Sequence, residues 1–432
     1  MMHQTIFEWG KASFRSDGFS VQQADRLLAA ARAHPLADKN GSNILSDSRR
    51  FLHAKQMVGV IAAPGCSLEI LPKVDPGDPD EAKFTVRRRL GGLLALALDI
   101  DLRAGSSAAM AHDEDSLLEI FIRNFADQLL TLLRAGLPHA YASRADDLQA
   151  LRGRLDVLRQ FTFNAVRPDR LACRYDTLTH DTPLMQIMKA TVVFLIPLSR
   201  SASTQRILSE LRWRLAPVSD VLPARLPWAR AVLDRTNSRW TNAVSLARLL
   251  IKRDWQGTRP DTYGAQGLTL LFPMHTLFEA AVAAVLRRVL ATSTIEVVVQ
   301  GGLRYCLGEP SDGAQCKGEW FQTKPDILLR RGGKVLAVID TKWKRLGSDP
   351  LVKKGGVAQS DVYQMMAYAR IYACERLLLL YPAVPGGASG VMRTFGIHSG
   401  TESLSLGCLD VSRHADDLRS QLRDLIRRVV PE

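Results

Sequence analysis

Residues 324–342 read KPDILLRRGGKVLAVIDTK, and this stretch decides the fold of the C-terminal part of the chain. Two apolar runs, 327–329 and 335–339, have the length of short β-strands. The pair Gly332-Gly333 lies between them, and glycines between two apolar runs are typical of a tight hairpin turn. The stretch therefore predicts two antiparallel strands joined by a turn.

Two carboxylates and one amine stand at the open end of this predicted hairpin. Pairing of the strands would bring Asp326 near Asp340, and Asp340 and Lys342 leave the same face because they are two residues apart. Carboxylates bind a hard cation such as Mg²⁺, which keeps positions for water and phosphate. A lysine beside them can orient water or balance developing charge. An Asp-x-Lys tripeptide alone usually points at solvent, so the prediction depends on the whole arrangement.

A helix upstream of the hairpin offers a third carboxylate. It is predicted from Pro273 to about Leu290, since proline is common at the start of a helix. Glu279 lies within a mainly apolar part of this helix. It is a candidate third acid of the site, although a glutamate on the exposed stripe of an amphipathic helix is compatible with the same pattern.

A helix downstream of the hairpin carries further polar candidates. It is predicted from Gln359 to Tyr368, with Ser360 as its N-cap. Asp361, Gln364 and Tyr368 are spaced i, i+3 and i+7, so they share one helical face. Such a face suits contact with a scissile phosphate or a metal-bound water, and a solvent-facing polar stripe is the alternative.

Together these residues resemble the PD-(D/E)xK nuclease superfamily, and more narrowly McrC, the nuclease subunit of the McrBC modification-dependent restriction system. The resemblance covers nearly the whole chain in the order of the family. The matching segments are 58–61, 68–74 with Leu71-Pro72-Lys73, 151–156, 173–176 with 181–182, 325–326, 340–344 and 361–364.

The resemblance implies a Mg²⁺-dependent DNA endonuclease. Asp326 and Asp340 would be metal ligands, and Glu279 a further one. Lys342 would be the catalytic lysine, with Gln364 acting beside it. The chain has aspartate at position 340, where much of the superfamily has glutamate, which shifts the carboxylate by one methylene.

The resemblance also implies a partner, an McrB-like AAA+ GTPase hexamer that recognises DNA carrying 5-methylcytosine. An McrC-like subunit docks on this ring through its N-terminal part, stimulates nucleotide hydrolysis and cuts both strands. The sequence agrees with a separate motor. Its Gly-Lys pairs, at 10–11 and 333–334, lack the upstream glycine and the following Ser/Thr of a phosphate loop.

The 432 residues are enough for two or three domains. We predict an α/β protein with a mixed N-terminal domain over 1–105 that docks on the motor. A mostly helical middle region follows over 106–265, and a PD-(D/E)xK restriction-endonuclease-like α/β core occupies 266–432. Alternation of helices and strands is common among unrelated proteins, so the predicted activity depends on the site residues.

The charge balance favours a polyanionic partner such as DNA. The formal net charge is +13, which promotes binding to phosphates through release of counterions. Basic residues concentrate locally at 87–89, 342–345 and 353–354. The last two groups flank the predicted site, where a DNA backbone would pass.

The sequence predicts a cytoplasmic protein without a membrane partner. The N-terminus lacks an apolar signal region, and the apolar run 190–198 is too short for a bilayer span of ~20 residues. The six cysteines form no C-x-x-C pair, which favours free thiols.

Two other functions stay open. The chain could be a non-catalytic adaptor that activates the motor ring and grips DNA, or a free-standing repair nuclease. The intact set of two acids and a lysine argues against a pure adaptor. An adjacent gene for an AAA+ GTPase would favour restriction over repair.

Overall fold

The protein has a mixed α/β fold with several sheets. Contacts group the chain into two compact units, one formed by Met1–Leu102 with Gln266–Glu432 and one by Arg103–Ala265. The division into three domains over 1–105, 106–265 and 266–432 stays a prediction, because these contacts do not show which parts of the chain fold independently. The computed structural model describes residues 2–14, 18–48, 50–73, 83–100, 116–235, 237–252, 268–309, 317–344, 346, 356–383, 387–398, 400–411 and 415–430.

The first unit begins with strands and two helices. They are β1 (Met2–Phe7), β2 (Lys11–Ser13), α1 (Val21–Arg32), β3 (Leu45–Asp47), β4 (Phe51–Ala54), β5 (Met57–Ala63), β6 (Cys66–Leu71) and α2 (Lys83–Ala97). Helix α1 begins at a capping box in which Ser20 and Gln23 exchange hydrogen bonds. Its apolar face packs on β5 and β6, which are buried along their whole length.

A strand from the C-terminal half completes the N-terminal sheet. Strand β10 (Leu268–Pro273) pairs antiparallel with β5, giving the strand order β1-β6-β5-β10. Gly59 permits this pairing, since its φ is +128° and a Cβ would lie 1.9 Å from the Leu270 carbonyl oxygen. The two ends of the chain therefore share one sheet.

The C-terminal half continues from β10 directly into a helix. Its elements are α8 (Met274–Val289), β11 (Glu296–Val299), β12 (Arg304–Glu309), β13 (Lys317–Thr323), β14 (Ile327–Arg331), β15 (Lys334–Thr341), α9 (Gln359–Tyr372), β16 (Arg376–Pro382), β17 (Gly390–Gly396), β18 (Ser403–Leu409) and α10 (Ala415–Val429). Six of these strands form a sheet in the order β11-β14-β15-β16-β18-β17. Strands β12 and β13 form a separate two-stranded sheet.

The predicted hairpin is confirmed. Strands β14 and β15 pair antiparallel, with Ile327 opposite Ile339. Gly332 and Gly333 have φ of +57° and +82°, a left-handed conformation that glycine adopts without strain. The predicted N-cap at Ser360 is wrong, because α9 begins one residue earlier and Ala358 is its N-cap.

Helices cover both faces of the six-stranded sheet. Apolar side chains of α9 pack on one face, on residues such as Val338 and Leu379. On the other face, Leu425 of α10 lies by Gly407 together with Leu378. Residues two apart on a strand face the same side, so Asp340 lies on the face of β15 that carries Val338, which packs against α9.

The second unit contains helices and a small sheet. Its elements are α3 (Leu117–Arg134), β7 (Ala140–Leu148), β8 (Arg154–Leu155), α4 (Val157–Thr162), β9 (Leu171–Thr179), α5 (Pro183–Leu195), α6 (Ala202–Arg214) and α7 (Thr241–Ala247). The strands form a sheet in the order β7-β9-β8, which the helical prediction missed. Most of their side chains are exposed or half-buried, so they lack the apolar alternation that marks a strand.

Across the described residues, no helix combines the length and the apolar character that crossing a bilayer requires. The described cysteines are free thiols, as the sequence predicted.

Candidate active site

The hairpin brings the two predicted aspartates together. Asp326 immediately precedes β14, and the register of β14 with β15 places it opposite Asp340. The backbone N–H of Thr341 donates to Asp326 Oδ2 over 2.7 Å, and Thr341 Oγ1 donates to the same oxygen over 2.9 Å. One oxygen of Asp326 is therefore held by the end of β15.

The Asp340 carboxylate is buried next to a second acid. Its residue is 1% exposed, and neither carboxylate oxygen accepts a well-aligned hydrogen bond from the described residues. Lys342 Nζ forms an ion pair with it at 2.6 Å from Oδ2. Burial, and next the negative charge of Asp326, raise the pKa of Asp340 to about 6. The carboxylate thus carries negative charge that its surroundings only partly balance.

Lys342 is held between the acids and helix α9. Its Nζ donates to Gln364 Oε1 over 3.2 Å, and Gln364 Nε2 donates to the Tyr368 hydroxyl over 2.8 Å. Burial alone would lower the pKa of Lys342, but the carboxylates of Asp340 and Asp326 outweigh burial and raise it. The structure therefore places the predicted Gln364 at the lysine, and the amine stays protonated.

Glu279 faces the same cluster from helix α8. Its residue is 8% exposed, which excludes the alternative of a solvent-facing stripe. Gln300 Nε2 donates to Glu279 Oε1 over 2.8 Å. Burial, and next the charge of Asp326, raise the pKa of Glu279 to about 7. The negative charge of Asp326 thus contributes to the raised pKa of both Asp340 on β15 and Glu279 on α8.

Asp361 lies on the face of α9 that was predicted to be polar. It is buried and forms an ion pair with Lys344 Nζ. The solvent-facing alternative for this stripe is therefore wrong. The Asp361 carboxylate is paired with Lys344. It therefore contributes negative charge beside the site but is not an unpaired carboxylate.

Two residues at the site were given no role by the sequence. Burial lowers the pKa of His275, and the nearby charges of Asp326 and Lys342 act on the ring in opposite directions. Gln300 donates its backbone N–H to the Asp326 carbonyl oxygen over 2.8 Å with φ of +47°, a conformation uncommon outside glycine. His275 lies one helical turn before Glu279, a spacing that could have revealed it. For Gln300 the sequence holds no such signal.

A sequence model of the family described as "McrBC 5-methylcytosine restriction system component" matches residues 52–382. The chain belongs to this family. The match covers the strand pair β5–β6, the hairpin with both aspartates, and helix α9. No curated protein matches the chain.

Two solved structures from Thermococcus gammatolerans are similar in fold to this McrBC family chain. One is a refined half-complex from a tetradecameric assembly of McrB AAA+ hexamers with bound McrC. Its matched chain has a TM-score of 0.74 and 18% identity, with 98% of this chain and 100% of that chain covered. The other, a cryo-EM structure of the McrBC complex, has a TM-score of 0.52 and 19% identity, with 67% and 88% covered. At such identities the similarity shows the fold alone.

In this McrBC family chain, Asp326 and Asp340 suit the binding of a hard cation such as Mg²⁺ rather than the binding of a structural zinc ion. The described ranges contain no group of three or more His, Cys, Asp or Glu side chains arranged to hold a metal. A structural zinc needs such a group, whereas Mg²⁺ commonly takes one or two carboxylates and completes its shell with water and phosphate. Asp340 Oδ1, which is buried and has no hydrogen-bond partner among the described residues, fits that second arrangement.

The predicted basic clusters of this McrBC family chain have different environments. Arg87 is buried and donates to both oxygens of Glu69, at 2.9 and 2.7 Å, so it is not a free surface charge. Arg88 is exposed and Arg89 is half-buried, so within the group 87–89 the burial concerns Arg87 alone. Arg345 and residues 353–354 lie outside the described residues. Contact with DNA stays a prediction.

Proposed function

We propose that the chain is the endonuclease subunit of a modification-dependent DNA restriction system, and that it hydrolyses phosphodiester bonds with Mg²⁺. The observation that carries this proposal is the buried Asp340 carboxylate, 2.6 Å from Lys342 Nζ and opposite Asp326. The PD-(D/E)xK core is part of the same proposal. Its support is the α8, β14–β15, α9 arrangement that gathers these side chains.

Each residue then has a distinct task. Asp326 and Asp340 hold the cation. Glu279 becomes a third ligand only if its carboxylate moves toward them once it is ionised, since the three acids as they stand do not form a metal-holding group in the described residues. Lys342 directs a water molecule toward the phosphorus or offsets the charge that grows on the phosphoryl oxygens. Gln364 holds the lysine, and Tyr368 holds Gln364. When bound, Mg²⁺ supplies Lewis acidity and lowers the pKa of a coordinated water.

The test compares two lysines of the same hairpin. Lys342→Ala and Asp340→Ala are expected to lose cleavage of 5-methylcytosine DNA in the presence of an McrB-like GTPase. Lys334→Ala removes an exposed lysine at the opposite end of β15 and should cut at the wild-type rate. Cutting by Asp340→Ala at the wild-type rate would overturn the assignment.

We also propose that the chain docks on an McrB-like AAA+ GTPase hexamer. Residues 1–105 were predicted to form the docking surface, and Trp9 there is 60% exposed. Helix α4 and the following loop in the second unit expose Leu158, Phe161, Phe163 and Val166, each at least 75% exposed. Concentrated exposed apolar side chains mark interaction surfaces, so the second unit is a further candidate.

Stimulation of GTP hydrolysis by variants distinguishes the two candidate docking surfaces, which are the N-terminal segment with Trp9 and the α4 region of the second unit. Phe161→Ser with Phe163→Ser should abolish stimulation if the second unit docks, and Trp9→Ser should do so if the N-terminal segment docks. Trp213→Ser, which removes another exposed aromatic side chain, is the control. If the wild-type chain stimulated GTP hydrolysis while the complex left 5-methylcytosine DNA uncut, a pure adaptor would be the better description.

A further inference from the structure

Gln300 connects two acidic residues of the site that lie on separate elements. It directly follows β11, and its side chain is exposed. Its Nε2 donates to Glu279 Oε1 over 2.8 Å, and its backbone N–H donates to the Asp326 carbonyl oxygen over 2.8 Å. One residue therefore links helix α8, which bears Glu279, to the backbone of the first aspartate.

Strand pairing fixes the backbone of Gln300. Strands β11 and β14 are antiparallel, with Val299 opposite Ile327. Gln300 and Asp326 are the next residues on the two strands, so the bond between them extends the ladder by one step. The sheet thus holds the backbone of Gln300 without help from its side chain.

The backbone conformation of Gln300 is unfavourable for glutamine. Its φ is +47°, in the left-handed region where the Cβ of an L-residue crowds its own backbone. Burial does not explain this conformation, because the side chain is exposed. Strained residues concentrate at functional sites, and here the strained residue is the one that donates to a carboxylate of the site.

The Glu279 carboxylate requires orientation if it is to bind a cation. Its residue is 8% exposed, and the three acids as they stand form no metal-holding group in the described residues. A carboxylate that is held at one oxygen can still rotate its other oxygen toward a cation. An amide donor suits this task, since it is neutral and does not repel the cation as a lysine would. Partners of this kind commonly orient the side chains that bind a metal.

We propose that Gln300 is a positioning residue for the metal site of the proposed nuclease. It holds Glu279 Oε1, so that rotation of the carboxylate about this oxygen brings Oε2 toward a cation held by Asp326 and Asp340. The proposal rests on the proposed function, because it takes Glu279 as a ligand. Gln300 acts through Glu279 and contacts no reacting atom.

The experiment is a double-mutant cycle on the metal affinity of the full-length chain. Mn²⁺, which favours the same oxygen ligands as Mg²⁺, is titrated, and free Mn²⁺ is measured by electron paramagnetic resonance. Gln300→Ala should weaken Mn²⁺ binding about tenfold, because the partner that orients a ligand is lost. In the Glu279→Gln background the same change should weaken binding no further, since both substitutions act through one carboxylate. Equal losses in both backgrounds, or unchanged or tighter binding by Gln300→Ala, would overturn the proposal.

Two further substitutions separate the side chain from the strained backbone. Gln300→Gly suits a positive φ, and Gln300→Asn tolerates it but is one methylene shorter. Both should bind Mn²⁺ as weakly as Gln300→Ala, and thermal unfolding in EDTA checks that each variant is folded. Wild-type Mn²⁺ affinity in Gln300→Gly or Gln300→Asn would show that the amide group has no role, which would overturn the proposal.

Gln322→Ala is the matched control. Gln322 is also an exposed glutamine, and its Nε2 donates to the Tyr305 hydroxyl over 3.3 Å. This variant loses a comparable side-chain hydrogen bond and should keep the wild-type Mn²⁺ affinity. A tenfold loss in Gln322→Ala would show that general loosening explains the effect, and the specific role of Gln300 would be wrong.

Metal affinity and cleavage together distinguish this proposal from the proposed function. If the wild-type chain bound Mn²⁺ with the expected coupling but left DNA uncut beside its GTPase partner, the nuclease assignment would fail and Gln300 would keep its role at a metal site. If the chain cut DNA and the cycle showed no coupling, only the role of Gln300 would fail. Absence of Mn²⁺ binding by the wild-type chain would overturn both.

Discussion

Replacement of Asp340 by asparagine should stabilise the metal-free fold while abolishing cleavage. The carboxylate is buried beside Asp326, and its pKa rises from an ordinary 3.8 to about 6. Each pKa unit between the folded and unfolded chain corresponds to about 1.4 kcal/mol. Ionised Asp340 therefore costs about 3 kcal/mol of folding free energy at pH 8, even with Lys342 beside it.

The sign of the pH dependence follows from the raised pKa. Below pH 3.8 the carboxyl is protonated in both states, so it contributes nothing. As the pH rises toward about 6, the unfolded chain ionises first and the folded state loses stability. The advantage of Asp340→Asn should therefore be about 3 kcal/mol at pH 8 and about half of that at pH 5.

Urea unfolding in EDTA at these two pH values measures the difference. Asp25→Asn, which neutralises an exposed acid on α1, is the control and should change stability little at either pH. Equal stability of Asp340→Asn and wild type at pH 8 would refute the reasoning. A gain that did not shrink at pH 5 would refute it as well, because the gain would then have another cause.

Three further outcomes are expected. Arg87→Met removes the buried counter-ion of Glu69 and should lower the free energy of unfolding by about 3–5 kcal/mol in urea titrations; an unchanged midpoint would contradict this. Gly59→Ala should destabilise by about 1–3 kcal/mol because its Cβ meets the β10 backbone, whereas Gly91→Ala in open space on α2 should stabilise by about 0.5–1 kcal/mol; equal effects in thermal unfolding would contradict the stated fit. Cleavage should rise as the pH increases through about 6 to 7, where Asp340 and then Glu279 ionise, and a profile flat from pH 5 to 8 would argue against both as ligands.

The local pattern was enough to predict the hairpin and its acids. Glycines in a left-handed turn and two apolar runs fix a register, and that register sets Asp326 opposite Asp340. The position of Gln364 followed from helical spacing, and the hydrogen bond to Lys342 agrees with it. These features depend on residues close in sequence, where pattern and geometry are directly linked.

The missed features depend on contacts between distant segments. Gln300 reaches Glu279 and Asp326 only because β11 pairs beside β14. Strands β7 and β9 escaped prediction since their exposed polar side chains carry no apolar alternation.

Strand β10 has a consequence for biosynthesis. Strand β5 is complete once residue 63 has been translated. Strand β10, which pairs with its edge, begins only at residue 268. At 5–20 residues per second, that edge would wait on the order of 10–40 s for its partner on the ribosome. Because β10 leads straight into the helix that bears Glu279, the same late event that closes the N-terminal sheet also brings in the third acid. A nascent chain would therefore be unable to assemble the proposed catalytic centre before most of it has been translated.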